Sequence, residues 1–181
     1  MLIGKVFNIE KATETAGAFL SKAGGKMPYM KLLKLLYLAD RQALLARGRT
    51  ITTDEFVSMN FGPVASNIYG LICTPSVPDG SSWHFHMRRA SQYDIELTVP
   101  TASDELSRAE ERIIDEIWKL HGHLDQWKLS NLTHQFPEWK NPNGSSIPIS
   151  VEDILKAGDV PEEQVVAIRS ELVNLRHLQA I

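Results

Sequence analysis

The sequence predicts a mainly helical α+β fold, with one central apolar helix, surrounding helices and a small antiparallel three-stranded sheet. Three observations predict it. Residues 31–45 are apolar most of the way round a helical wheel, which places that helix in the middle of a fold, touched from several sides. Amphipathic helical stripes recur on either side of it, over residues 9–23 and from residue 106 onward. Between them lie three short segments of alternating apolar and polar residues, the period of half-buried strands.

Asn8 is placed to cap a first helix, in which Ile9, Ala12, Ala16, Phe19, Leu20 and Ala23 recur at helical spacing until Gly24-Gly25 ends the pattern. Pro28 suits the first turn of the next helix, where a missing N–H costs nothing. Leu32, Leu36, Ala39 and Ala43 centre one face of this helix, with Leu33, Tyr37 and Leu44 at its edge; Leu35, Leu38 and Leu45 fall elsewhere and leave little polar surface. Gly48 closes it. Residues 50–60 read as extended, Val57, Met59 and Phe61 alternating with Phe56, Ser58 and Asn60. Gly62-Pro63 stops that strand, and Pro63 opens a short helix whose buried stripe is Val64, Ile68, Leu71 and Ile72.

After a loop rich in Pro, Gly and Ser, Trp83, Phe85 and Met87 alternate with His84, His86 and Arg88; Tyr93, Ile95, Leu97 and Val99 then alternate with Asp94, Glu96 and Thr98. This predicts an antiparallel hairpin, joined by residues 55–60 into the one sheet. Ser107 with Glu110 has capping-box spacing ahead of a stripe of Leu106, Ala109, Ile113, Ile117 and Leu120 that stops at His121-Gly122. Residues 124–134 make a short helix ended by Pro137, and 141–146 a surface loop. Ser150 caps a helix running to Ala157, and Pro161 opens the last one, with Val165, Ile168, Leu172 and Leu175 buried.

At 181 residues, 43% hydrophobic and 23% charged, the chain is expected to form one domain, 1–181, with a real core. Lys34, Asp40 and Arg41 interrupt its longest apolar run, so no membrane span is expected, and the first ten residues do not resemble a secretory signal. The lone Cys73 cannot form an internal disulfide, which fits a reducing cytosol; at the end of an apolar helix it is expected to be a small buried hydrophobe. A net charge of −3 gives no electrostatic footprint for nucleic acid.

Asp40 lies among leucines. A buried carboxylate needs compensation, so it should bond backbone N–H groups near Phe61 to Val64, a nearby cation or His134. His84 with His86 and His121 with His123 are His-x-His pairs; on a strand the first pair would share a face and hold a metal, with His134 or Asp40 as third ligand. No Cys pair or His-Glu-x-x-His helix accompanies them, and exposed strand histidines opposite Trp83 and Phe85 are the simpler reading. No serine-nucleophile elbow, phosphate loop or dinucleotide fingerprint is present. The sequence therefore predicts no catalytic, cofactor or metal residues. The alternative reading is a metal-dependent hydrolase or nucleotide-processing enzyme using Asp40 and the histidines.

The run Lys31-Leu32-Leu33-Lys34-Leu35-Leu36-Tyr37-Leu38-Ala39-Asp40, followed by Gly48-Arg49-Thr50-Ile51-Thr52 and by Met59-Asn60-Phe61-Gly62-Pro63-Val64 with Ile68-Tyr69, resembles the Panacea domain of SocA-like antitoxins, a group often labelled phage-associated. Leu106-Ser107, Gly122-His123-Leu124, Leu132-Thr133-His134 and Pro137-Glu138-Trp139-Lys140 are similar to that family's C-terminal pattern. The resemblance covers about residues 28–158 and leaves 159–181 as a C-terminal helix. It implies a shared scaffold in which Lys34, Leu36, Tyr37, Asp40, Phe61, Gly62, Pro63, Val64, His134, Pro137 and Trp139 are motif positions. It further implies a cytoplasmic bacterial or prophage antitoxin that neutralises a cognate protein toxin by direct contact, one member type acting as an adaptor to a cytosolic AAA+ protease. The contact surface is expected where the motifs are absent, at Trp83, His84, His86, Arg88 and Arg89 and on the final helix.

Overall fold

Local signals start and stop most of the helices. In the computed structural model, which describes residues 7–74 and 81–179, Asn8 Oδ1 accepts the Lys11 N–H at 3.0 Å and opens α1 (Ile9–Lys22). After a three-residue strand β1 (Lys26–Pro28), α2 (Tyr29–Arg47) runs to Gly48, whose left-handed φ of 72° ends the helix and returns its N–H to Leu44 O. Leu32, Leu35, Leu36, Tyr37, Ala39, Ala43 and Leu44 are all fully buried on α2. The helix packs against α1, β1 and the later elements β3 (Gly62–Ala65), α3 (Ser66–Cys73), α5 (Arg108–His121), α6 (Gln126–Thr133) and α7 (Val151–Ala157). It is the central helix that its composition predicts.

Two three-stranded antiparallel sheets flank it, rather than one. The first has the order β3-β2-β6, with β2 at Phe56–Met59 and β6 at Ile147–Ile149; the second has the order β1-β5-β4, with β4 at Met87–Arg89 and β5 at Asp94–Leu97. The β4–β5 hairpin is therefore joined by β1, which pairs with the free side of β5, and residues 55–60 belong elsewhere. Three-residue strands such as β1 and β6 carry no readable periodicity; their existence depends on the strand beside them.

Gly62-Pro63 does not stop the chain and start a helix. It begins β3, which folds back on β2 through the two-residue turn Asn60-Phe61 and puts Pro63 opposite Ser58. Pro63 is tolerated because β3 is an edge strand, where a missing N–H costs no ladder bond, and α3 starts only at Ser66. Residues 82–86 form a single helical turn, α4 (Ser82–His86), where the alternation suggests a strand. Trp83 and Met87, four residues apart, both face the core, whereas Phe85 between them is 63% exposed. Over five residues an i, i+4 pair and an i, i+2 alternation cannot be told apart by hydropathy.

Ser107 and Glu110 make the reciprocal capping box at the start of α5. Asp125 caps α6 and Ser150 caps α7, which is followed by α8 (Glu162–Gln179). Three expected burials differ: Leu120 and Leu175 are exposed, and Cys73 is an exposed free thiol at the end of α3. Among the described residues no helix is long and apolar enough to cross a membrane.

Candidate functional site

Lys34, Tyr37 and Asp40 are polar residues of α2 that are fully buried, and each finds a partner outside the helix. Asp40 is fully buried, as its position among leucines predicts, but its partners are not in the Phe61–Val64 segment. Its Oδ1 accepts the N–H groups of Ile51 at 2.7 Å and Thr52 at 2.9 Å, and its Oδ2 accepts the Thr52 hydroxyl at 2.5 Å. Gly48 reverses the chain so that these amides fall back over the helix. Burial pushes the Asp40 carboxyl up to about 6, against the pull of the three hydrogen bonds toward the ionised form. Asp54 acts similarly on the next element: it accepts from Glu55 N, Asn67 N and Nδ2, and Ile68 N, tying the loop to the start of α3.

Lys34 occupies the place expected for Asp40. Its Nζ is fully buried and donates to Pro63 O at 2.8 Å. It belongs to a set of side chains that converge on one turn. Ser130 Oγ donates to Phe61 O at 2.8 Å, Trp139 Nε1 donates to Met59 O at 3.0 Å, and His134 Nε2 lies 3.0 Å from Asn60 O. A carbonyl only accepts, so that imidazole carries its proton on Nε2. The Gly144 N–H adds a bond to Asn60 Oδ1 at 3.1 Å. Four carbonyls around the β2–β3 turn are thus held by side chains from α2, α6 and the segment after it. Gly62 makes this possible: its φ is 102°, and a Cβ there would lie 2.6 Å from Thr133 Oγ1 and 3.0 Å from Lys34 Nζ.

The clamped turn presents Phe61 outward at 56% exposure. Its ring meets Trp127 edge-on, centroids 5.8 Å apart, and Trp127 is itself 55% exposed. On the inner side, Tyr37 Oη donates to buried Glu138 at 2.8 Å, and Arg41 Nε reaches the same carboxylate at 2.6 Å while its guanidinium stacks over Phe136. Burial first, and the Glu138 charge second, push the Tyr37 phenol above its usual range. Leu36 and Val64 are core residues beneath the turn, and exposed Pro137 leads into Glu138 and Trp139. The structure therefore brings Lys34 and Tyr37 of α2, the turn and residues 134–139 together, while Asp40 is held apart from them by Ile51 and Thr52.

The 83–99 region is arranged differently from its sequence pattern. Trp83 is 1% exposed, so its indole lies beneath the surface rather than on it. His84 and His86 sit on a helical turn, where they do not share a strand face, and His86 Nδ1 is 3.0 Å from Val99 O. Arg88 pairs with Glu96 at 2.7 Å; Arg89 donates to Ser91 O and Gln92 O and lies over the Tyr29 ring. Among the described residues no three His, Cys, Asp or Glu side chains come together as a metal site would need. Asp40 is committed to Ile51 and Thr52, and His134 to Asn60, so the ligand set considered from sequence is not assembled.

Glu138 stands in a quoted motif run without being singled out, and Trp127, Ser130 and Asp54 are site residues that sequence reasoning missed. Trp127 left a trace, a large aromatic on the polar side of a short helix; the others have no local signature, because their partners are distant in the chain. A family model described as the SocA-like antitoxin Panacea domain matches residues 32–140, more than half of the chain. The chain belongs to this family. The matched span includes Lys34, Asp40, the turn and the side chains that clamp it, whereas Lys31 and α8 lie outside it. No curated protein and no solved structure matches the chain.

Proposed function

We propose that this chain is the antitoxin of a toxin–antitoxin pair, a single cytoplasmic Panacea domain that neutralises a cognate protein toxin by direct contact and not by catalysis. The match of residues 32–140 to an antitoxin family carries the reading. The use of the polar side chains supports it. Lys34, Asp40, Asp54 and Glu138 are each committed to internal hydrogen bonds, the arrangement of a scaffold. The contact surface in this reading combines the clamped Phe61–Trp127 pair with His84, His86, Arg88 and Arg89, Trp83 supporting that flank from beneath, and α8. Exposed aromatics on rigid backbone suit binding because little ordering entropy remains to be lost.

The test is co-expression with the adjacent open reading frame. Rescue from a toxic neighbour, with co-purification of the two proteins, is the expected outcome; a harmless neighbour, or one that stays toxic and does not co-purify, overturns the reading. A role as adaptor to a AAA+ protease is the variant to separate from simple sequestration. It predicts a shorter toxin half-life when this chain is present, and an unchanged half-life removes it.

A further inference from the structure

Lys34 is the one side chain of the turn clamp whose charge lacks a counter-charge among the described groups. Its Nζ is fully buried, and a single bond, to Pro63 O, is formed there. β2, β3 and β6 contain no titratable residue, and α6 contains only Lys128, which is exposed. On α2 itself Asp40 faces Ile51 and Thr52, Tyr37 and Arg41 face Glu138, and Lys31 reaches Gly122 O. His134, at the end of α6, is the other titratable group on the turn, through Asn60 O. An ammonium carries three donors and a full charge, and this pocket supplies one carbonyl. The lysine is also packed tightly under the turn, since a Cβ on Gly62 would come within 3.0 Å of its Nζ.

We propose that Lys34 is a proton-responsive latch for the β2–β3 turn. As a neutral amine it holds Pro63 O inside an apolar pocket. On taking a proton from solvent it becomes a buried cation with unsatisfied donors, and the relief is local opening of the turn, which admits water to Nζ and frees Phe61. Burial, with no opposing charge, lowers the amine to about 7, so the transition falls within the range a cell experiences. The latch is a property of the fold and stands whether or not the antitoxin reading holds.

Two measurements on the full chain test it. Lysine labelled with carbon-13 at Cε allows Lys34 to be titrated directly, and a midpoint near neutrality is expected. Amide exchange of Gly62, Val64 and Ala65, normalised to intrinsic rates, should show protection several-fold lower at about pH 6 than at about pH 8. Lys34→Met should remove that difference, and His134→Gln, which keeps a donor for Asn60 O without titrating, should retain it. A Lys34 midpoint above about 9, equal protection at both pH values, or loss of the response in His134→Gln would each overturn the proposal. If Lys34→Met does not fold, the direct titration and His134→Gln still decide it.

Discussion

Replacing Asp40 by alanine removes the acceptor of three donors at once. The Ile51 and Thr52 amides and the Thr52 hydroxyl lie within 2.5–2.9 Å of the carboxylate in a site with no solvent exposure. Each orphaned donor costs about 2 kcal/mol when water cannot reach it. Against this stands the cost of ionising a carboxyl raised from 3.8 to about 6, which vanishes with the side chain and is worth about 3 kcal/mol above that pH. The net loss is about 3 kcal/mol. With a urea m-value of about 2 kcal/mol/M this lowers the unfolding midpoint by ~1.5 M, and the melting temperature by ~6–12 °C. Asp40→Asn keeps an acceptor and should lose less than half as much. Urea titrations followed by tryptophan fluorescence and by far-UV circular dichroism at pH 7.5 measure both variants. An Asp40→Ala protein with unchanged midpoint and abolished biological activity would refute the structural role assigned to this residue.

Gly62→Ala should destabilise by about 2–4 kcal/mol, combining a left-handed φ with contact against Thr133 Oγ1 and Lys34 Nζ, and circular dichroism melting will read it. Glu138→Ala leaves Arg41 and the Tyr37 hydroxyl without their acceptor and should cost about 3–5 kcal/mol, whereas Glu138→Gln should cost less. The buried lysine makes stability depend on pH in the alkaline range. Because its folded pKa is depressed to about 7 from 10.5, between those values the unfolded chain binds a proton the folded chain does not. Stability from this group rises with pH across that window, by up to ~1.4 kcal/mol per unit, and Lys34→Met flattens the slope. Asp40 has the opposite sign at lower pH: its contribution is present below 3.8 and is lost as pH rises through about 6. Phe61→Ala and Trp127→Ala, both at exposed rings, should change stability by less than about 1 kcal/mol yet weaken toxin co-purification at least tenfold.

Much of the architecture is legible before the chain is folded. The all-round apolarity of residues 31–45 identifies the central helix, and Asn8, Ser107 and Ser150 announce helix starts that form as their spacing requires. Asp40's burial also follows from its place on the wheel. The errors share a physical cause. At residues 83–87 a short pattern satisfied two periods, and packing of Trp83 with Met87 on the core face chose the helical one. At Gly62-Pro63 a helix-start signal was overridden because β2 offered an edge on which a proline is harmless.

Local interactions are written in consecutive residues, so the sequence by itself determined the helix caps, the apolar faces and the membership of the Panacea motif positions in one pattern. Only the tertiary structure decided which carbonyl or amide each buried polar group meets. Lys34 finds Pro63 across 29 positions, Ser130 finds Phe61 across 69, His134 finds Asn60 across 74, and Tyr37 finds Glu138 across 101. Such bonds follow from how α2, α6 and the β2–β3 hairpin pack, and hydropathy specifies that packing without naming the polar partners. That is why the sequence marks the turn as a motif, and the structure shows it as a clamped platform for two exposed rings.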